Sequence, residues 1–171
     1  TNAISSCPVC TPARASLITG QYPHRHGLFL NDLLLDPESI SIGKTFRDAG
    51  YHTGWIGKWH LDGNRRSAYT PPERRQGFAY WAGLNCTHNY FDSRYFLNED
   101  DTPRTWDGYD AYAQTDLACD YIRNKDSVRP ADQPFMLMLS WGPPHDPYAQ
   151  APQDLLDAID PEELTLPPNV P

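Results

Sequence analysis

The sequence predicts an α/β fold with a largely parallel central sheet flanked by helices. Two successions carry this expectation, a helix running into a strand between Ile42 and Ile56 and a longer helix running into an apolar strand between Asp107 and Leu139. A third observation sets the class: 171 residues with 39% hydrophobic and 21% charged side chains suffice for one globular domain with a buried core. The 17 prolines and 11 glycines exceed what a helical bundle tolerates and imply long loops, where binding and catalysis tend to sit.

In chain order, Thr11 to Gly20 offers a hydroxyl residue at an N-cap, Pro12 at the first helical position and Gly20 just past the end, which predicts a helix from about Pro12 to Thr19. Cys10 then lies at its mouth, beside unsatisfied N–H groups and the positive end of the dipole. Ile42 to Ala49 reads as a helix closed by Gly50, with Lys44, Arg47 and Asp48 on a solvated face. Tyr51 to Ile56, aromatic and β-branched, reads as a strand. Asp62–Pro72 and Asn98–Asp107 read as polar loops. Gly77–Phe96 is unusually aromatic, either an antiparallel excursion shaping an entrance or a peripheral hairpin on the sheet. Ala111, Thr115, Ala118 and Ile122 make one face of a helix within Asp107–Lys125. Phe135 to Leu139 is a continuous apolar strand, expected to be buried on both faces, and His145 follows on the loop past its carboxyl end, the edge where parallel sheets bind ligands. A short helix is expected at about Gln153–Ala158, then an extended Pro-rich tail.

A net charge of −8 disfavours nucleic acid and anionic membrane surfaces as partners, and no stretch approaches the roughly 18 apolar residues of a membrane span. The segment Thr1–Cys7 has no signal-peptide pattern and there is no initiating Met, so a piece of a larger protein is expected, with the compartment open and a periplasmic or secreted parent compatible. Four cysteines are too few for a disulfide scaffold. Cys7 and Cys10 form a C-x-x-C, which reads as a redox dithiol or half a zinc site. Cys86 and Cys119, 33 residues apart, form no second pair, and no strand precedes the motif in the visible chain.

Cys10-Thr11-Pro12-Ala13-Arg14 is also a C-x-P-x-R, a pattern expected by chance in about one chain per hundred of this length. It continues as Ala15-Ser16-Leu17-Ile18-Thr19-Gly20, and Gly50-Tyr51-His52-Thr53-Gly54-Trp55-Ile56-Gly57-Lys58-Trp59-His60-Leu61 follows. Both blocks resemble the two signature segments of the type I sulfatases of the alkaline phosphatase superfamily, in order and spacing. The Pro143-Pro144-His145 loop resembles a third active-site segment, so the likeness extends over roughly Asn2 to His145.

The resemblance implies that Cys10 is oxidised to formylglycine by a sulfatase-maturing enzyme and that its hydrate is the nucleophile. A second hydroxyl on the same carbon can expel sulfate by re-forming the aldehyde, whereas a serine would keep a stable ester. It further implies that Arg14, one turn on, holds the diol, that Lys58 contacts the sulfate and diol oxygens, that His60 takes the proton of the second hydroxyl, and that His145 assists the departing alcohol oxygen. Strand alternation through Lys58-Trp59-His60 is expected to put the two polar groups on one face and the indole on the other. His24 and His26 divide equally between substrate approach and framework.

Members of that family also hold one calcium. Here only residue 10, as formylglycine, matches a ligand position, and the remaining carboxylates are expected before Thr1 and after Pro171, with Asp100-Asp101 rejected as a substitute pair. The resulting expectation is an incomplete portion, residues 1–171, of an N-terminal catalytic domain. Its parent hydrolyses the sulfate ester of a small molecule or, by preference, a glycan, with Trp81, Tyr90 and Trp106 as a possible sugar-stacking approach. The alternatives are a phosphonate or phosphate monoester hydrolase of the same superfamily, or a non-catalytic remnant if the segment stands alone.

Overall fold

The computed structural model describes residues 4–170. Strands β1 (His52–Lys58), β2 (Tyr80–Leu84), β3 (Arg94–Leu97), β4 (Asp100–Thr105) and β5 (Phe135–Ser140) form one sheet in the order β4-β3-β2-β1-β5. The β1 strand is parallel to both β2 and β5, whereas β3 and β4 pair antiparallel. The expected α/β class, with parallel strands at the centre, is therefore what forms.

Helices α1 (Cys10–Thr19), α2 (Pro23–His26), α3 (Ile42–Asp48), α4 (Asp110–Ile122) and α5 (Gln153–Asp157) complete the chain. The α1 helix ends as expected on Gly20, whose φ of 68° is left-handed and whose N–H closes onto the Ser16 carbonyl. Its start differs. Val9 is the N-cap, and the Thr11 hydroxyl donates instead to the His60 carbonyl at 2.9 Å, while the Thr11 N–H is satisfied by Asn31 Oδ1 at 2.9 Å. Ser41 caps α3 by accepting from the Lys44 N–H at 3.2 Å. On that helix Arg47 and Asp48 pair in solvent, as expected of a solvated face.

Alternation along β1 divides the core into two layers. Trp55, Trp81, Trp59 and Phe78 pack with Ala15 and Ile18 of α1 on one side of the sheet, and Ile56, Tyr80 and Ala82 pack with Ala118 and Tyr121 of α4 on the other. Truncating one of these fully buried indoles to alanine costs roughly 3–5 kcal/mol. Gly57 is the tightest point: its φ is 102° and a Cβ would meet the Ser140 carbonyl oxygen at 2.1 Å. Only glycine lets the carboxyl ends of β1 and β5 approach this closely.

Several expectations need correcting. Residues 100–105, expected as loop, are a fully exposed edge strand, whose charges and Pro103 are what an unprotected sheet edge tolerates. The aromatic segment is neither an excursion nor a hairpin at its start, because β2 is a buried parallel strand next to β1 and only β3 turns back. The buried face of α4 is Asp110, Gln114, Ala118 and Tyr121, and Ile122 is exposed. The aliphatic count misplaced the stripe because two polar residues and a tyrosine carry it. The β5 strand is half-buried along its length, since among the described residues it pairs with β1 alone. Arg75 is 1% exposed, donates to the carbonyls of Thr70 and Asn98, and lies over the Trp81 and Tyr69 rings, fastening the 62–79 connection to the sheet.

Candidate active site

The carboxyl ends of β1 and β5 and the amino end of α1 meet around a cavity of about 470 Å³, whose lining includes Cys10, Arg14, Lys58, Ser140, Trp141 and His145. Cys10 opens α1, so the first-turn N–H groups and the dipole favour an anion there. Arg14 follows one turn later. Its Nη1 donates to the Lys58 carbonyl at 2.9 Å and to Ser140 Oγ at 2.8 Å, which bolts α1 across both strand ends. Burial pulls the Arg14 pKa down, with the neighbouring Cys10 and Cys86 opposing, and a guanidinium remains a cation under such a shift. Lys58 is 5% exposed and its ammonium has no carboxylate partner among the described residues. Two cations and a helix amino end thus converge on one small space.

His145 lies on the opposite wall, on the loop after β5. Its Nδ1 is 2.8 Å from the Asp146 carbonyl and 3.0 Å from Asp146 Oδ1, and its ring stacks on His88 with centroids 4.8 Å apart. Burial, Lys58 and His145 together lower the His88 pKa. No motif in the sequence singled out His88.

His60 departs from expectation. Strand geometry ends at Lys58, and His60 sits beyond it with φ 58°. Trp59 does enter the core, but the His60 ring is not part of the cavity lining. It is buried, with Nε2 3.1 Å from Asp32 Oδ1. Burial, reinforced by Lys58 and Arg14 against Asp32, lowers its pKa to about 4. Asp32 in turn takes a two-pronged bond from Arg66, at 2.9 and 2.6 Å, which holds its carboxyl at about 2. On the far side of the sheet Asp110 is buried, accepts from Ser93 Oγ at 2.8 Å, and burial raises its pKa to about 6.

His26 is framework: Nε2 meets Ser16 Oγ at 3.1 Å and Nδ1 accepts from the Leu28 N–H. His24 stacks beside Tyr22. Trp81, Tyr90 and Trp106 are at most 6% exposed and belong to the interior, which overturns the sugar-stacking expectation for them; Trp141, 47% exposed, is the indole that lines the cavity. The four cysteines are unpaired, Cys7 and Cys10 included. Among the described residues no three His, Cys, Asp or Glu side chains converge as a metal site, so the residues present do not fit a calcium site. Residue 10 does fit formylglycine, since its side chain opens at a helix amino end into a space shared with Arg14 and Lys58.

The sulfatase family model matches residues 1–160. The chain belongs to the sulfatase family. It is 47% identical over 170 residues to an ulvan-active sulfatase of Formosa agariphila, covering 99% of this chain and 33% of that relative, and 30% identical to an endo-4-O-sulfatase of Bacteroides thetaiotaomicron, covering 86% and 34%. This sulfatase chain thus spans about a third of the length of those curated relatives. The yidJ sulfatase structure of Bacteroides fragilis superposes with a TM-score of 0.82 at 30% identity, over 92% of this chain and 38% of the other. A structure solved with D-glucosamine-2-N,6-O-disulfate gives 0.65 at 28% identity, over 85% and 27%. The sheet is the corresponding part of the alkaline phosphatase-like fold.

Proposed function

We propose that this chain is the nucleophile-bearing part of the N-terminal catalytic domain of a hydrolase that releases inorganic sulfate from a sulfated carbohydrate. The observation that carries the reading is the convergence of Cys10, Arg14 and Lys58 on one cavity at the amino end of α1. Sulfatase relatives named for ulvan and for 4-O-sulfate, and a solved neighbour holding a sulfated glucosamine, support the carbohydrate class.

Conversion of Cys10 by a sulfatase-maturing enzyme supplies a hydrated aldehyde, whose paired oxygens provide both the nucleophile and the means of expelling sulfate. The chain's own residues do the rest. Arg14 fixes the orientation of residue 10 through its anchorage on Lys58 and Ser140. Lys58 meets sulfate oxygens with a charge already stripped of most of its water, so the attraction is stronger than a surface lysine would give. His145, on the loop wall of the cavity, donates a proton to the departing alcohol oxygen. His60 accepts a proton from the residue 10 side.

The test uses the full-length protein co-expressed with a maturing enzyme. Sulfate release from sulfated oligosaccharides is expected, the Cys10 peptide should have lost one sulfur and two hydrogens and gained one oxygen, Cys10→Ala should abolish turnover, and Cys7→Ala should keep it. Faster cleavage of an aryl phosphonate than of the matching aryl sulfate, or an intact Cys10 thiol in an active preparation, would overturn the reading.

A further inference from the structure

We propose that Asp32, clamped by Arg66, is a positioning residue that holds the His60 ring with its hydrogen on Nε2 and leaves Nδ1 as the basic nitrogen. The proposal deepens the reading of His60 as proton acceptor and rests on it.

Three hydrogen bonds define the device. Asp32 Oδ1 meets His60 Nε2 at 3.1 Å and Arg66 Nε at 2.9 Å, and Asp32 Oδ2 meets Arg66 Nη2 at 2.6 Å. An ionised carboxylate only accepts, so Nε2 must donate. A neutral imidazole carries one ring hydrogen, so Nδ1 carries the lone pair. The ring is neutral because Lys58, Arg14 and burial oppose its protonation more than Asp32 favours it. Nδ1 itself is fully buried and has no partner among the described residues.

The backbone is locked around the same contacts. Asp32 sits at φ 64°, and its N–H donates to Thr11 Oγ1 at 3.3 Å while that hydroxyl donates to the His60 carbonyl at 2.9 Å. The His60 N–H donates to the Asn85 carbonyl. Thr11 follows the nucleophile position directly, so the first turn of α1, the Asp32 loop and the histidine are tied into one unit. Deleting the carboxylate removes only the orienting arm of that unit.

The experiment uses full-length protein with 15N-labelled histidine, recording the His60 ring nitrogens, with kcat and KM measured after maturation. Wild type should show hydrogen on Nε2 and a bare Nδ1. In Asp32→Gly, glycine suits the left-handed backbone; the ring should populate both tautomers, and kcat should fall about 10- to 100-fold with KM changing less than about threefold. Arg66→Ala, at an exposed side chain, should move both readouts the same way by less. Hydrogen on Nδ1 in wild type, or an unchanged tautomer and kcat in folded Asp32→Gly, would refute the clamp. Full kcat in His60→Gln would instead remove the base role itself, whatever the tautomer, so the two failures are separable.

Discussion

The two walls of the cavity are built differently. One is made of α1 and the end of β1: Arg14 is bonded to the Lys58 carbonyl and to Ser140, and Trp59 beside Lys58 is fully buried. The other is the loop after β5, where Trp141 is half-exposed and His145 is braced by its neighbour Asp146 and by the His88 ring. Under the proposed function, the rigid wall would carry the groups that must be placed to within a fraction of an ångström, nucleophile and cations, and the loop wall the group that follows a leaving alcohol of variable shape.

Breaking the rigid wall should have the largest effect. Gly57→Ala drives a methyl into the Ser140 carbonyl oxygen at a backbone angle alanine resists, and is expected to destabilise the full-length protein by about 3 kcal/mol or more, read as lost soluble yield or a lowered melting temperature. A stability equal to wild type would show that the two strand ends are not pinned there. Next, Lys58→Met keeps the stem and removes the charge, and kcat/KM for sulfate release should drop about 100- to 1,000-fold with the fold intact. His145→Ala on the loop wall should cost less, about 10- to 100-fold, and the deficit should shrink for esters with a good leaving group because less protonation is required. A larger loss for His145 than for Lys58 would invert the assignment of the walls.

The smallest effect concerns stability against pH. His60 has a folded pKa near 4 against an ordinary 6.5, so between those values the unfolded chain binds more protons and this group's contribution rises with pH, complete above 6.5 and lost toward 4. Asp110, near 6 against 3.8, works oppositely: the folded chain binds more protons across that window and its contribution falls as pH rises. Asp110→Asn should therefore gain stability over wild type from pH 4 to above 6, by about 3 kcal/mol at most, while His60→Gln should lose its relative deficit as pH falls from 6.5 to 4. Urea midpoints at several pH values check this, and curves that shift in the same sense for both variants would contradict it.

The sequence revealed both walls in part, since the apolar run to Leu139 placed His145 on the loop past that strand, and it revealed the rigid wall in more detail. C-x-P-x-R placed Cys10 and Arg14 one turn apart, and the Gly-Lys-Trp-His block placed Lys58 at a strand end, because local spacing alone fixes such relations. What escaped depends on distant partners or on a single backbone angle. The left-handed backbone of His60 is a single angle that no periodicity announces. Asp32 and Arg66 stand 34 positions apart and meet only after folding. The 100–105 strand was hidden because an exposed edge has the composition of a loop, and the tryptophan and tyrosine residues were ambiguous because core and sugar platform use the same side chains.

The indoles also give the molecule optical consequences. Trp55, Trp59 and Trp81 are dry; Trp59 meets the other two edge to face, at 4.8 Å and 5.4 Å, and those two stack at 6.5 Å. Trp141 alone lines the cavity, 47% exposed. Emission from the buried trio belongs at short wavelength, with excitation energy passing among neighbours this close, and that of Trp141 belongs at long wavelength and responds to whatever displaces water beside it. A single unlabelled sample therefore reports core integrity at the blue edge of its fluorescence and cavity occupancy at the red edge.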